Sequence, residues 1–156
     1  MNKLQTILIN NQISTLSVSN IGSFDIIESP QEKLIFVPKK QEIIKAPSVY
    51  VLYNTTEDSV IYVGYSCNVF DRVRRYCQGM NRSTYHTDSK KSMAIYMLLK
   101  EQKNIDVLSF SLLHRDYNPN NSIDQKINMM AKNLETLLIK EYKPYLNTQH
   151  NPNRMK

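Results

Sequence analysis

Residues 48–64 read SVYVLYNTTEDSVIYVG, and this stretch decides the fold. It holds two runs, Val49–Tyr53 and Val60–Val63, that are rich in β-branched and aromatic residues, which favour strands. The polar residues 54–59 between them are suited to a turn. The stretch therefore predicts a β-hairpin whose second strand ends at Gly64.

The chain after the hairpin alternates between helical and strand patterns. Capping residues, apolar spacing and a terminating proline locate each element. The predicted elements are a helix from Ser66 or Asn68 to Tyr76, a helix from Ser89 or Ser92 to about Lys103, a strand over 107–113 and a helix over 123–142 ended by Pro144. In the last helix we predict an apolar stripe of Ile127, Met130, Leu134, Leu137 and Glu141, with Glu135 at its border.

The chain before the hairpin shows short alternating runs separated by Asn, Ser, Gly and Pro. These runs are Thr6–Ile9, Leu16–Val18, Phe24–Ile26 and Leu34–Val37. They predict a β-rich N-terminal arm over residues 1–45, followed by a main domain over residues 46–156. The fold class expected is α+β, with a small antiparallel or mixed three-stranded sheet flanked by helices.

The composition excludes several classes of protein. The 156 residues are enough for one domain, and the three glycines are too scattered for a dinucleotide-binding turn or a P-loop. The two cysteines, Cys67 and Cys77, match neither a zinc site nor a disulfide framework, which favours a reducing cytoplasm. Because no run of about 18 apolar residues occurs, we expect a cytoplasmic protein that does not cross a membrane.

Positive charge is concentrated in the middle of the chain. The net charge is +6, and residues 69–103 hold eight basic residues against three acidic ones. Such a concentration favours a polyanionic partner, although charge alone is equally consistent with a solvated basic surface.

Several polar residues recur in an order that a known family shares. They are Tyr50 within Ser48-Val49-Tyr50, Tyr62 within Tyr62-Val63-Gly64, Arg72, Tyr76, Glu135 and Asn147. From about Pro47 to His150 the chain resembles the GIY-YIG nuclease family, although Ser48 stands where that family has its first glycine. Residues 60–64, 88–92 and 135–150 are most similar to a small stand-alone member from T-even bacteriophages that attacks unmodified host DNA.

The resemblance implies a GIY-YIG-like fold and a metal-dependent DNA endonuclease that hydrolyses phosphodiester bonds. It assigns catalysis to Tyr50, Tyr62, Arg72, Tyr76 and Glu135, and it leaves open which phenol accepts the proton. Glu135 would hold one divalent metal ion, Mg²⁺ or else Mn²⁺, and Arg72 would bind the scissile phosphate. Gly64 and Asn147 would support the site, and the DNA backbone would be contacted by Arg74, Arg75, Arg82, Lys90 and Lys91.

The expected partners are double-stranded DNA and further copies of the chain, as a homodimer or homotetramer, because cutting two antiparallel strands takes two sites. A phage-encoded enzyme would act in the host cytoplasm. Two alternatives remain, which are a sequence-specific restriction or homing nuclease of the same family and a DNA-binding module without catalysis.

Overall fold

A computed structural model describes residues 18–28, 30–39, 45–81, 89–113 and 115–147. The elements are β1 (Ser19–Ile27), β2 (Lys33–Pro38), β3 (Ser48–Asn54), β4 (Ser59–Ser66), α1 (Val69–Asn81), α2 (Ser89–Lys100), β5 (Ile105–Ser111) and α3 (Ser122–Tyr142). The α+β class and the hairpin are confirmed. The predicted strand over Thr6–Ile9 lies outside the described residues. None of the described helices is long and apolar enough to span a membrane.

Within the described residues, the sheet has five antiparallel strands in the order β2-β1-β5-β3-β4. The three strands predicted for the main domain form its β5-β3-β4 part, and the two strands from the predicted arm extend it. Strand β1 pairs with β5, which would otherwise present a row of unpaired backbone groups. The sheet therefore has two strands more than predicted. The domain boundary between residues 45 and 46 stays a prediction.

A side-chain cap begins α1, and a left-handed backbone conformation ends α2. The Asn68 side-chain oxygen accepts from the Asp71 N–H at 3.1 Å and begins α1, which continues five residues beyond the predicted end at Tyr76. Helix α2 ends at Lys100 rather than Lys103, because Gln102 takes a left-handed conformation with φ 66°.

Helices cover the two faces of the sheet with different chemistry. We call the face under α1 and α2 the phenol face, because its core includes Tyr50, Tyr62 and Tyr76. We call the face under α3 the aliphatic face. Its core comprises Val49, Val51, Val63, Leu108, Phe110, Ala131, Leu134, Leu138 and Ile139. Because side chains alternate along a strand, neighbouring residues of β3 from Val49 to Leu52 serve opposite faces.

The predicted stripe of α3 is right at Leu134, which is buried, and wrong at Met130 and Glu141, which are exposed. The buried residues are Asp124, Ala131, Leu134, Leu138 and Ile139. Met130 is 56% exposed, because α3 turns the small Ala131 and the long Leu138 toward the valines of the hairpin. Glu135 nevertheless lies at the border between core and solvent, since it follows the buried Leu134 and is itself half-buried.

Candidate active site

The hairpin places a tyrosine ring directly over a glycine. Tyr50 on β3 pairs with Gly64 on β4. A Cβ atom at Gly64 would lie 2.4 Å from Tyr50 Cζ and 2.5 Å from its hydroxyl oxygen, far inside normal contact distance. A side chain at position 64 would therefore displace the Tyr50 ring, and this close approach accounts for the glycine.

Helix α1 brings Arg72 and Tyr76 onto the same face, one helical turn apart. The Tyr76 hydroxyl lies 2.6 Å from the Tyr50 hydroxyl, and both side chains are fully buried. The Arg72 guanidinium carbon lies 5.3 Å from the centroid of the Tyr76 ring, within the range of a cation–π contact. The spacing in the sequence thus yields one cluster of two phenols and a guanidinium.

Tyr62 on β4 completes this cluster. Its ring centroid lies 6.0 Å from that of Tyr50 and 6.2 Å from that of Tyr76. The Lys91 ammonium from α2 donates to the Tyr62 hydroxyl at 3.3 Å and lies 4.6 Å from its ring centroid. Next to Lys91, the buried Ser92 hydroxyl donates to the Tyr76 backbone carbonyl and so joins α2 to α1.

Burial controls the ionisation of the two inner phenols. It raises the pKa of Tyr50 and of Tyr76 well above the usual range, and the nearby Tyr62 phenol raises both further. Arg72 opposes this shift in the pKa of both tyrosines, but burial outweighs it. Both phenols therefore stay protonated at neutral pH.

Glu135 lies on the other side of the sheet, because α3 packs on the aliphatic face. Two contacts made by other residues of α3 show where this helix lies along the edge strand β4. The Tyr65 hydroxyl donates to the Asn128 side chain, and the Lys132 ammonium lies 5.5 Å from the Tyr65 ring centroid. Glu135 is two helical turns from Asn128 and thus on the same side of α3. That side of α3 faces β4.

The opposite end of α3 shows that the helix runs antiparallel to β4. Burial and the charges of Glu141 and of Asp58, in the turn before β4, together raise the pKa of Tyr142 to about 12. Tyr142 therefore lies near the start of β4, whereas Asn128 lies near its end. Glu135, midway between them, is level with the middle of the strand that carries Tyr62.

The segment after α3 runs along the outer edge of β4. The Asn147 side chain donates to the Val63 carbonyl at 2.7 Å and accepts from the Val63 N–H at 2.9 Å. The Leu146 N–H donates to the Ile61 carbonyl at 3.3 Å. Asn147 thus satisfies the backbone of the edge strand and joins the end of α3 to the hairpin.

The residues predicted to contact DNA have separate surroundings. Arg75 pairs with Asp71 at 3.3 Å on the exposed side of α1, and the Arg74 guanidinium carbon lies 5.8 Å from the Phe70 ring centroid. Lys90 is exposed on α2. Lys91 instead contacts Tyr62, as described above. Arg82 lies outside the described residues.

The side chains of the described residues do not form a structural zinc site, but they include a carboxylate suited to Mg²⁺. They contain no group of three or more His, Cys, Asp or Glu side chains that could hold a metal ion. A structural zinc site is built from such a group. A single carboxylate such as Glu135 suits a hard cation like Mg²⁺, which keeps several waters and takes further oxygen ligands from phosphate.

Three contacts of this region have no counterpart in the sequence analysis, namely the Lys91–Tyr62 contact, the Ser92 hydrogen bond and the Tyr65–Asn128 contact. Period-two alternation along β4 puts Tyr62 and Tyr65 on opposite faces and could have separated their roles. The pairing of Lys91 with Tyr62 depends on how α2 lies against α1, for which the sequence shows no local signal.

The comparisons with known proteins support the fold. No protein-family model matches the chain, and no curated protein matches it by sequence. A solved structure of a glutamate-to-alanine mutant of bacteriophage T4 EndoII is similar, with a TM-score of 0.58 and 20% sequence identity. The alignment covers 94% of this chain and 98% of that one. This distant likeness extends over nearly the whole chain.

Proposed function

We propose that this protein is a metal-dependent DNA endonuclease that hydrolyses phosphodiester bonds. The observation that carries the proposal is the Arg72 guanidinium held beside two buried, hydrogen-bonded phenols, Tyr50 and Tyr76. A core that only needed to pack could use aliphatic side chains there, because every buried phenol oxygen requires a partner. The fold likeness to the phage protein EndoII supports the same reading.

Arg72 provides the phosphate-binding group. A guanidinium offers parallel N–H donors that match two oxygens of a phosphate, and it is always charged. The contact with the Tyr76 ring restricts the Arg72 side chain before substrate arrives. Such preorganised positive charge stabilises the additional negative charge that develops on the phosphate oxygens during hydrolysis.

Tyr50 and Tyr76 act as protonated groups. Since burial raises the pKa of both phenols, neither is suited to accept a proton from water at neutral pH. Their linked hydroxyls hold β3 and α1 together, and they keep Arg72 in place above the hairpin. Gly64 gives the Tyr50 ring the space that this arrangement needs.

Glu135 would hold one divalent cation, Mg²⁺ or Mn²⁺, beside the edge strand β4. When bound, such a cation stabilises charge on a phosphate oxygen and on the leaving oxygen. The Tyr65–Asn128 contact at one end of α3 and the Asn147 contacts at the other fix the level of Glu135 along β4. In this proposal the DNA backbone reaches Arg72 on one face and Glu135 on the other around the β4 edge, which residues 146 and 147 border.

The proposed substrate is double-stranded DNA, cut by a homodimer or homotetramer. Degradation of unmodified host DNA in the host cytoplasm is the biological role that we propose, in line with the resemblance to the phage protein. A restriction or homing nuclease would instead show a long fixed sequence at its cleavage ends. Sequencing many ends from a digested bacterial genome distinguishes the two, since host degradation leaves only a short or loose consensus.

Supercoiled plasmid tests the proposal directly. We expect the wild-type protein to nick or linearise it with Mg²⁺ and to stop when EDTA is added. Glu135→Ala should bind DNA as the wild type does in EDTA but lose cleavage, whereas Glu141→Ala, exposed on the same helix, should cleave normally.

Two results would overturn parts of this proposal. A wild-type protein that binds DNA but cuts it with neither Mg²⁺ nor Mn²⁺ would be a binding module. Full activity of Glu135→Ala would remove Glu135 from the metal site.

A further inference from the structure

Tyr65 is held at the end of β4, on the face that α3 covers. Its hydroxyl donates to the side chain of Asn128 on α3, and the Cys67 sulfur lies 3.2 Å from the same oxygen. Burial raises the pKa of this phenol well above its usual range, so it stays neutral at neutral pH. The Tyr65 ring is therefore a fixed, uncharged surface beside the helix that carries Glu135.

The Lys132 ammonium lies over this ring. It is 5.5 Å from the ring centroid, within the range of a cation–π contact, and the side chain as a whole is exposed. Among the residues that the structure describes, no carboxylate forms an ion pair with Lys132. The ring contact restricts a long side chain and keeps its positive charge at the surface.

Lys132 and Glu135 lie on one side of α3. Asn128, Lys132 and Glu135 are separated by steps of four and three residues, a spacing that aligns them on the side of the helix that faces β4. Neighbours at this spacing have Cβ atoms about 5–6 Å apart. A phosphate at Glu135 and another at Lys132 would thus be close neighbours, as successive phosphates of one DNA strand are.

We propose that Lys132, held by the Tyr65 ring, binds the DNA phosphate next to the one that is cleaved. This inference rests on the proposed nuclease function and adds a DNA contact on the α3 side of β4. Lysine is suited to this task because its compact charge needs no fixed orientation toward a phosphate. The contact sets the register in which the strand reaches Glu135 and Arg72, and it reads no base sequence.

Binding of a labelled duplex in EDTA tests the assignment. Lys132→Gln should weaken binding a few-fold on every sequence and reduce the slope of log affinity against log salt by about 0.9, because one phosphate contact is lost. Lys126→Gln removes another exposed charge of α3, on the side of the helix opposite Glu135, and should leave both quantities at wild-type values. Lys132→Arg keeps a cation over the ring and should bind nearly as the wild type does.

A double-mutant cycle tests the role of the ring. Tyr65→Leu removes the surface on which Lys132 lies and should weaken DNA binding. The same change should have little further effect in the Lys132→Gln background, because no ammonium is left to hold. Independent effects of the two changes would show that the ring does not position Lys132.

Neutral methylphosphonate linkages locate the phosphate that Lys132 contacts. One linkage at a time is placed around a cleavage site mapped with the wild-type protein and Mg²⁺. We expect a linkage adjacent to the cleaved one to weaken binding by the wild type a few-fold and binding by Lys132→Gln not at all.

The cleavage rate separates a DNA contact from support of Glu135. At saturating protein, single-turnover cleavage by Lys132→Gln should stay close to the wild-type rate, because Lys132 does not touch the reacting atoms. A slow rate at saturation together with wild-type affinity in EDTA would overturn the phosphate contact and make Lys132 a support for Glu135.

The outcomes distinguish this inference from the function on which it rests. If Lys132→Gln has the affinity and salt slope of Lys126→Gln, or if every methylphosphonate affects it as it affects the wild type, the phosphate contact is wrong and the nuclease stands. A wild-type protein that cuts no DNA with any divalent cation overturns the nuclease and, with it, the placement of Lys132 beside a cleaved phosphate.

Discussion

The two faces of the sheet come from the same strands but have different cores. The aliphatic face is filled by valine, leucine, isoleucine and alanine side chains and by Phe110, all of which need only shape and volume to pack. The phenol face buries three tyrosines beside a guanidinium and an ammonium. Buried polar groups destabilise a core unless each has a partner, so they indicate a requirement other than stability. The phenols and Arg72 thus lie on one face of the sheet, whereas Glu135 lies on the helix that covers the other face.

The largest expected effect is the loss of the guanidinium on the phenol face. Arg72→Ala should slow single-turnover plasmid cleavage by about 10³-fold, which is typical of an arginine that stabilises charge in phosphoryl transfer. Arg72→Lys should recover little, because an ammonium cannot make two parallel N–H contacts to a phosphate. Gln78→Ala is the matched control on α1, since it changes an exposed polar side chain on the same helix. If Arg72→Lys cleaves at the wild-type rate, a point charge is sufficient at this position and two parallel N–H contacts are not needed.

Substitutions at two adjacent residues of β4 compare how much each face contributes to stability and to activity. Gly64→Ala pushes a methyl group against Tyr50 on the phenol face, and Val63→Ala removes two methyl groups from the aliphatic face. Each should lower the free energy of unfolding by about 1–3 kcal/mol. Urea denaturation measures both, and cleavage is then assayed where both variants are folded. Only Gly64→Ala should lose most of its activity, and equal activity losses would contradict the division between the faces.

Local patterns in the sequence predicted the parts of the fold that depend on local contacts. The hairpin follows from two apolar runs around a polar turn, and the spacing of Arg72 and Tyr76 follows from one helical turn. The pairing of β1 with β5 could not be predicted in this way. It joins residues as distant as Asn20 and Asp106, whose side chains share a hydrogen bond across 86 positions.

In the candidate site, too, local features could be predicted from the sequence and long-range contacts could not. The sequence named the tyrosines and Arg72, but the 2.6 Å contact between Tyr50 and Tyr76 depends on how α1 packs on the sheet. The predicted stripe of α3 is right at the buried Leu134 but wrong at Met130, which the pattern counts as core and which is exposed. Surface methionines break helical periodicity without changing the fold, so tertiary packing decides which side of α3 is buried.

Alkaline unfolding sharpens the comparison through the two inner phenols. Above pH 10 the unfolded chain loses the protons of Tyr50 and Tyr76, whereas the folded protein keeps them because burial raises both pKa values. Their contribution to stability is thus complete below pH 10 and falls as pH rises, by about 1.4 kcal/mol per pH unit for each phenol. Urea titrations at several pH values should show a shallower decline for the Tyr50→Phe/Tyr76→Phe double variant. Parallel declines would mean that these phenols ionise as freely in the folded protein.

The smallest expected effects concern the helices that carry the basic residues. If DNA lies along the phenol face, Arg74→Gln and Lys90→Gln should each weaken DNA binding a few-fold on every sequence. Each should also reduce the slope of log affinity against log salt by about 1, because one phosphate contact is lost. Fluorescence anisotropy with a labelled duplex in EDTA measures both quantities without cleavage.

Lys140→Gln, exposed near the end of α3, is the matched control for these two variants because it also removes one exposed helical charge. Its salt slope should equal that of the wild type, since α3 packs on the aliphatic face and Lys140 lies more than one helical turn beyond Glu135. An equal loss of slope for all three variants would mean that DNA contacts both sides of the sheet. In that case the bound DNA would extend along α3 well beyond Glu135, and the difference between the faces would hold for the phenols and Arg72 but not for binding.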